Sequence, residues 1–253
     1  MLGVKIFIQE QNSYPGITNK ILSKFAKKIF VAYDNLNQFF NPSKIILTGN
    51  PVRKDITATL PAKQAAASFF GLSENKKTIL IIGGSLGART INESIEKNIG
   101  LFAQNEIQLL WQTGKVYYDG IIDRTKNKDI TDVKIHQFIR EMNMAYSAAD
   151  IIISRAGALS ISELCIIGKP TILIPSPNVS EDHQTKNAMA LVNKNAAVLV
   201  KDTEAKEKLG TVVLELMKDQ TKLNQLSENI KTLAKTNAAN DIVNAITGEI
   251  QKS

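Results

Sequence analysis

Residues 78–88, with the sequence TILIIGGSLGA, join an apolar run directly to a glycine-rich turn. The run over 78–83 is typical of a strand buried on both faces, and a helical pattern follows it over 88–98. Glycines let a phosphate approach the backbone, and the first turn of a helix presents free N–H groups and a positive dipole end. We therefore predict a parallel α/β sheet with a phosphate-binding loop at 83–88. A tight turn that binds nothing is the alternative.

Apolar runs and helical patterns alternate on the C-terminal side of this stretch. Helical patterns occur at 159–167 and 183–193. Apolar runs that are typical of strands occur at 107–112, 133–138, 150–154, 170–175 and 196–200. Strands that are apolar throughout, with helices between them, indicate a parallel sheet covered on both faces. The pattern predicts a complete doubly wound domain over residues 54–236.

The N-terminal residues 1–53 contain a shorter series of the same kind. Strands are expected at 4–9, 28–33 and 44–49, with a helix at 16–28. Three strands supply about half of a doubly wound domain and would leave a sheet edge uncovered. We expect that the chain lacks its beginning or needs a partner. The last helical pattern, within 237–253, is expected to pack back on this N-terminal unit.

The amino-acid composition limits the partners and the cellular compartment that we expect for this protein. The 253 residues include 31 Lys and Arg against 24 Asp and Glu, a formal charge of +7, which favours anionic partners such as nucleotides, nucleic acid or an acidic membrane surface. A single cysteine, Cys165, excludes an intramolecular disulfide and favours a reducing cytoplasm. Nowhere do about 18 apolar residues follow one another, so we expect membrane contact to be peripheral.

Common nucleotide and metal motifs fit the sequence poorly. A dinucleotide site needs G-x-G-x-x-G and an acidic residue at the end of the next strand, but that strand ends in Gln112, Thr113 and Gly114. No Walker P-loop occurs. The two histidines, His136 and His183, lack metal-ligand spacing, and we expect no metal and no cofactor. Cys165 lies in a helical pattern among apolar residues, so we expect it in the core.

A second strand end carries the segment SRAGALSISE at 154–163. Ser160 and Glu163 match a capping box, in which case they would only stabilise the helix. The other interpretation is that Glu163 binds a ribose diol while the helix start faces a phosphate or a sugar. Spacing alone leaves both open.

Two further polar segments are candidates for ligand contacts. EDHQTKN at 181–187 follows a strand, at the edge where parallel sheets bind ligands, and QEQNSYPG at 9–16 follows the first strand. The latter is either a capped turn or a sugar-binding loop. The next helix repeats lysines, which are either a solvated face or a patch for anionic lipid, namely Lys20, Lys24, Lys27 and Lys28.

The motifs together resemble the MurG family of UDP-N-acetylglucosamine transferases. The resemblance rests on EQNSYPGITN (10–19), TGNPVR (48–53), GGSLGA (83–88), WQTGK (111–115), Phe138 with Ile139, SRAGALSISEL (154–164) and EDHQTKNA (181–188), in the family's order. It implies the GT-B fold, with one complete doubly wound domain plus the end of a second. The family's GGTGGH loop and the hydrophobic helix after it do not occur in this sequence.

The resemblance also implies roles for individual residues. Ser85 should meet the UDP phosphates, the backbone at Ile139 the uracil, and Glu163 the ribose. Gln184 and Asn12 should bind N-acetylglucosamine hydroxyls from opposite sides of the cleft, and Arg53 should supply a fixed positive charge. The implied substrate-binding residues are Asn12, Arg53, Ser85, Ile139, Ala158, Leu159, Ser160, Ile161, Ser162, Glu163 and Gln184.

The implied reaction converts lipid I to lipid II in peptidoglycan synthesis. The muramyl 4-hydroxyl of undecaprenyl-pyrophosphoryl-MurNAc-pentapeptide would attack the donor sugar with inversion and without a metal. The family's candidate base lies in the GGTGGH loop, so the catalytic base stays unassigned, and we expect the chain alone to be inactive. The resemblance places the protein peripherally on the cytoplasmic face of the bacterial plasma membrane, with UDP-N-acetylglucosamine, lipid I, an anionic membrane surface and other cell-wall synthesis proteins as partners, and no nucleic acid.

Two other functions stay open at this point. One is a different UDP-sugar enzyme of the GT-B fold, such as an epimerase or a glycolipid transferase. The other is a non-catalytic donor-binding subunit that needs a separate N-terminal chain. Binding of lipid I would separate the first from the MurG function, and activity restored by mixing would identify the second.

Overall fold

The protein folds into two parallel sheets flanked by helices. The structure is a computed structural model that describes residues 4–57 and 59–251. The strands are β1 Phe7–Glu10, β2 Lys28–Val31, β3 Ile45–Leu47, β4 Lys77–Ile82, β5 Ile107–Gln112, β6 Val133–His136, β7 Ile151–Ser154, β8 Thr171–Leu173 and β9 Val198–Leu199. The helices are α1 Ile17–Leu22, α2 Lys54–Thr57, α3 Lys63–Phe69, α4 Arg89–Gln104, α5 Tyr118–Thr125, α6 Met142–Ala148, α7 Ala158–Ile167, α8 His183–Val192, α9 Ala205–Lys218, α10 Gln220–Lys231 and α11 Ala238–Gln251.

The larger sheet has the strand order β6-β5-β4-β7-β8-β9, all parallel. Counted along the chain from β4, this is the order 3-2-1-4-5-6 of a doubly wound nucleotide-binding domain. The fold class predicted from the sequence is confirmed. The order reverses between β4 and β7, and a parallel sheet has its ligand crevice where the loops after two such strands diverge.

Alternate residues of the central strands pack into two different cores. Leu80 and Leu110 face a layer that includes α6 and α7, whereas Ile79 and Trp111 face a layer that includes α4 and α9. All six residues of β5 are buried. This two-sided burial is why the strand sequences are apolar throughout instead of alternating with polar residues.

The smaller sheet pairs β1, β2 and β3 in parallel and has a modest core of its own. The predicted helix at 16–28 is wrong in length, because α1 ends at Leu22. The chain then turns, with the Lys27 N–H donating to the Ile6 carbonyl, so that Lys28 enters β2 opposite Phe7.

Several contacts join the first sheet to the rest of the chain. The ammonium group of Lys27 lies 3.8 Å from a carboxylate oxygen of Glu249 in α11. The Asn50 side chain donates to the Gln11 carbonyl at 3.0 Å and to the Ser162 hydroxyl at 3.1 Å. Across residues 4–57 and 59–251, no helix combines the length and apolar character required to traverse a bilayer.

Candidate functional site

A cavity of about 900 Å³ lies at the reversal of strand order in the larger sheet. The loops that follow β4, β5, β6, β7 and β8 contribute to its wall. Six of the residues expected to bind substrate line this one cavity, namely Arg53, Ser85, Ile139, Ser160, Glu163 and Gln184. They come from segments distant in sequence, and the shared carboxyl edge of the parallel strands brings them together.

The glycine loop between β4 and α4 forms one end of the cavity. Gly84 and Gly87 have φ values of 87° and 90°, which favour glycine. A Cβ on Gly87 would lie 2.2 Å from the Thr113 carbonyl oxygen, so the loop packs backbone to backbone against the end of β5. The N-cap residue of α4, Ala88, makes no side-chain cap. Backbone N–H groups of the first turn therefore stay available for an anion beside Ser85.

Glu163 is held in place by two neighbours at the cavity wall. The Tyr146 hydroxyl donates to its Oε2 at 2.9 Å, and Arg53 Nε lies 3.4 Å from its Oε1. Burial, together with the adjacent carboxylate, raises the pKa of Tyr146 well above its usual value, so this hydroxyl stays protonated and donates. The Glu163 side chain is only 17% exposed. A carboxylate fixed in this way can accept hydrogen bonds from a diol.

The capping-box alternative for Ser160 and Glu163 is wrong. Helix α7 begins at Ala158 with Gly157 as its N-cap residue, so Ser160 already lies within the first turn. The other residues of this segment lie in different surroundings. Leu159 is exposed, Ile161 is buried in the core, and Ser162 accepts from Asn50 at the junction with the first sheet. Neither Ile161 nor Ser162 offers a side chain to the large cavity, and Ala158 is not among its lining residues.

Gln184 and Asn12 occupy different surroundings. Gln184 Oε1 accepts from the backbone N–H groups of Ser176 at 2.9 Å and Ala156 at 3.2 Å, which leaves its amide nitrogen as the group that can donate to a ligand. Asn12 lies outside the large cavity, where its Oδ1 accepts from Asn187 Nδ2 at 3.0 Å. In this arrangement Asn12 joins the first sheet to α8.

Gln112 is a site residue that sequence reasoning missed. Its Oε1 accepts from the Ile139 N–H at 2.9 Å, and its Nε2 donates to the Gly84 carbonyl at 3.2 Å. The side chain is buried and connects the glycine loop to the position expected to meet a base. Its place in the WQTGK motif was the only signal in the sequence.

The contacts of the Arg155 side chain are a second feature that was not predicted from the sequence. It forms an ion pair with Asp202 and donates to the carbonyls of Ile174 and Pro175 at 3.0 and 3.1 Å. Thr90 donates to the other Asp202 oxygen at 2.8 Å. These bonds tie together the loops after β7, β8 and β9. Nothing in the sequence pairs Arg155 with a residue 47 positions away.

Cys165 is buried in the core, as the sequence predicted. Burial raises the pKa of its thiol to about 12. Within residues 4–57 and 59–251, no group of three or more His, Cys, Asp or Glu side chains is placed to hold a metal ion.

Comparison with known proteins supports the same interpretation. Residues 78–244 match the family model described as the glycosyltransferase family 28 C-terminal domain. Over 250 residues the chain is 52% identical to the UDP-N-acetylglucosamine--N-acetylmuramyl-(pentapeptide) pyrophosphoryl-undecaprenol N-acetylglucosamine transferase of Parabacteroides distasonis, covering 99% of this chain and 68% of the relative. The transferase of the same name from Bacteroides fragilis is 53% identical over 94% of this chain and 63% of its own length.

A solved structure resembles the whole chain. The crystal structure of Acinetobacter baumannii MurG superposes with a TM-score of 0.76 at 26% identity, over 98% of this chain and 67% of that chain. The chain thus spans about two thirds of the length of these relatives. On the family model, the sequence identity and the shared fold, the chain belongs to the MurG glycosyltransferases of family 28.

Proposed function

We propose that this chain binds UDP-N-acetylglucosamine and provides the donor half of the transfer of N-acetylglucosamine to the muramyl 4-hydroxyl of undecaprenyl-pyrophosphoryl-MurNAc-pentapeptide, lipid I. The observation that carries the proposal is the convergence of the glycine loop, Ile139, Glu163 and Gln184 on one cavity. The printed names of the relatives support the donor and the acceptor.

The chemistry of the wall fits a nucleotide sugar along its length. The diphosphate lies against Ser85 and the N–H groups at the start of α4. Glu163, oriented by Tyr146 and Arg53, accepts from the ribose hydroxyls. The Ile139 N–H is already bonded to Gln112, so the uracil is read by sharing or displacing that bond. The Gln184 amide nitrogen donates to the sugar.

The transfer breaks the bond between the anomeric carbon and the β-phosphate oxygen and forms a bond to the acceptor oxygen. Charge develops on the departing UDP, and preorganised N–H donors of the glycine loop stabilise it. A general base takes the acceptor proton. We assign that base to no residue of this chain, because His183 is not among the residues that line the donor cavity.

We further propose that α1 and the turn after it contact an anionic membrane surface peripherally. Ile17, Ile21 and Phe25 are exposed, at 64%, 57% and 69%. Lysines accompany them in the same segment, and apolar side chains beside cations suit the boundary of an anionic bilayer. Vesicles containing phosphatidylglycerol should retain the chain, and replacement of Ile21 and Phe25 by serine should release it. Equal retention of the serine variant would contradict the proposal.

Calorimetric titration of the 253-residue chain tests donor binding. UDP-N-acetylglucosamine should bind more tightly than UDP-glucose, and NAD should not bind. Equal affinity for the two UDP-sugars would be consistent with UDP binding but would contradict selectivity for the N-acetyl group. Absence of UDP-sugar binding by a cooperatively folded sample would contradict the proposed function.

A further inference from the structure

A second cluster of polar groups lies outside the donor cavity, around the ring of Tyr14. The ammonium nitrogen of Lys186 in α8 is 3.4 Å from the ring centroid, and that of Lys20 in α1 is 4.0 Å away. Phe39 packs edge-on against the same ring at 5.0 Å. Two cations from different parts of the fold are thus held against one aromatic side chain.

Neither ammonium group has a carboxylate partner within the described ranges. Of the carboxylates near the cluster, Asp34 pairs with Lys194 at 2.6 Å. Glu181 Oε2 lies 3.7 Å from His183 Nε2 and has no hydrogen-bond partner among the described residues. Both lysines are half-buried, so water screens their mutual repulsion less than it would on an open surface. The ring face offsets part of this repulsion, and an anion would offset much more.

The loop that carries Tyr14 is fixed in position before any ligand arrives. The Ser13 N–H donates to Asn187 Oδ1 at 2.8 Å, and Asn187 is fully buried. Glu10 accepts from the Gly16 N–H at 3.2 Å and from Asn19 Nδ2 at 2.8 Å. The distance between the two cations is therefore set by the fold instead of by flexible loops.

A buried hydroxyl group beside the cluster supports a ligand site. A groove of about 460 Å³ is lined by Tyr14, Phe39, Lys186 and Ser13, and also by the ion pair of Asp34 and Lys194. Among the residues described, Ser13 Oγ is buried and has no hydrogen-bond partner. Such a group costs stability unless a partner satisfies it, and a hydroxyl can donate to an oxyanion.

We propose that Lys20, Lys186 and the groove beside Tyr14 bind an oxyanion of the acceptor, a phosphate or a carboxylate. The inference rests on the proposed function. The relatives are named for an acceptor with both a pyrophosphoryl group and a pentapeptide, each of which carries such anions. The cluster lies on α8 two residues beyond Gln184, so an anion held there would tie the acceptor to the helix that carries a donor-sugar contact.

NMR titration of the UDP-saturated chain tests the site, because UDP occupies the donor phosphate loop first. The ring resonance of Tyr14, assigned with Tyr14→Phe in tyrosine-labelled protein, is followed during addition of inorganic pyrophosphate and, in a second arm, of acetyl-alanyl-alanine. A saturable shift in the first arm identifies a phosphate site, and one in the second identifies a carboxylate site. Absence of a saturable shift in both arms would overturn the proposal.

Paired variants distinguish anion binding at this site from the nonspecific attraction of anions to a basic protein. Lys20→Ala with Lys186→Ala removes two cations and should weaken binding by at least about tenfold, since the loss of even one charge-assisted hydrogen bond costs about that factor. Lys208→Ala with Lys218→Ala, two exposed lysines of α9, removes the same charge and should leave binding within about twofold. Equal losses of anion affinity in the site variant and in the control variant would overturn the proposal. UDP affinity measured in the same samples reports the proposed function independently, so intact UDP binding with no anion binding rejects only this inference.

Discussion

On the proposed function, the carboxylate of Glu163 accepts hydrogen bonds from the ribose hydroxyls. Glu163→Ala should weaken UDP binding by about 1.5 to 3 kcal/mol, because the diol loses charge-assisted hydrogen bonds. Calorimetry with UDP and 2′-deoxy-UDP should show that the variant no longer distinguishes the two. Tyr146→Phe is the matched control, since it removes the donor to Oε2 and keeps the carboxylate. Unchanged UDP affinity in a folded Glu163→Ala sample would remove Glu163 from the site.

The buried thiol of Cys165 gives a second test at the residue scale. Its pKa of about 12 leaves very little thiolate at pH 8, and the surrounding core blocks access. Iodoacetamide should modify Cys165 at least about a hundredfold more slowly in the native chain than in urea. Comparable rates, measured by mass spectrometry, would mean that this part of the core opens readily.

The glycine loop after β4 packs as one unit with the end of β5, because the two backbones are in direct contact. Gly87→Ala places a Cβ against the Thr113 carbonyl oxygen at a φ that alanine rarely adopts. We expect UDP affinity to fall by at least about tenfold as the N–H groups move from their positions. Gly100→Ala, in the helix α4 that follows the loop, is the control, because a Cβ there meets nothing within 4 Å and alanine should stabilise α4 by about 0.5 to 1 kcal/mol. Equal UDP affinity of the two variants would contradict the role of the loop.

Gln112 connects two elements, the glycine loop and the segment after β6. Gln112→Glu keeps the size of the side chain but removes the donor to the Gly84 carbonyl and aims a carboxylate at the cavity. We expect a larger loss of affinity for UDP than for uridine, because the phosphates meet the added negative charge. Calorimetric titrations with both ligands measure the difference. Equal losses would show that Gln112 acts only on the base.

At the scale of the whole molecule, the sequence predicted the elements better than their arrangement. Apolar runs located every strand of the larger sheet, because burial on both faces leaves a plain signal. The helical pattern at 159–167 matches α7 within one residue, but the capping-box alternative was wrong because Gly157, and not Ser160, is the N-cap residue. Pairings such as Arg155 with Asp202 or Ser13 with Asn187 escaped prediction, because periodicity carries no information about distant partners. The resemblance to a family supplied roles that spacing had left open, as for Glu163.

The cavity at the strand-order reversal is proposed to hold the UDP moiety of UDP-N-acetylglucosamine. A crystal structure of the chain with this ligand is the decisive measurement. We expect the diphosphate against Ser85 and the start of α4, the ribose hydroxyls within hydrogen-bond distance of Glu163, and the uracil beside Ile139. A nucleotide bound elsewhere, or bound here with its ribose away from Glu163, would contradict it.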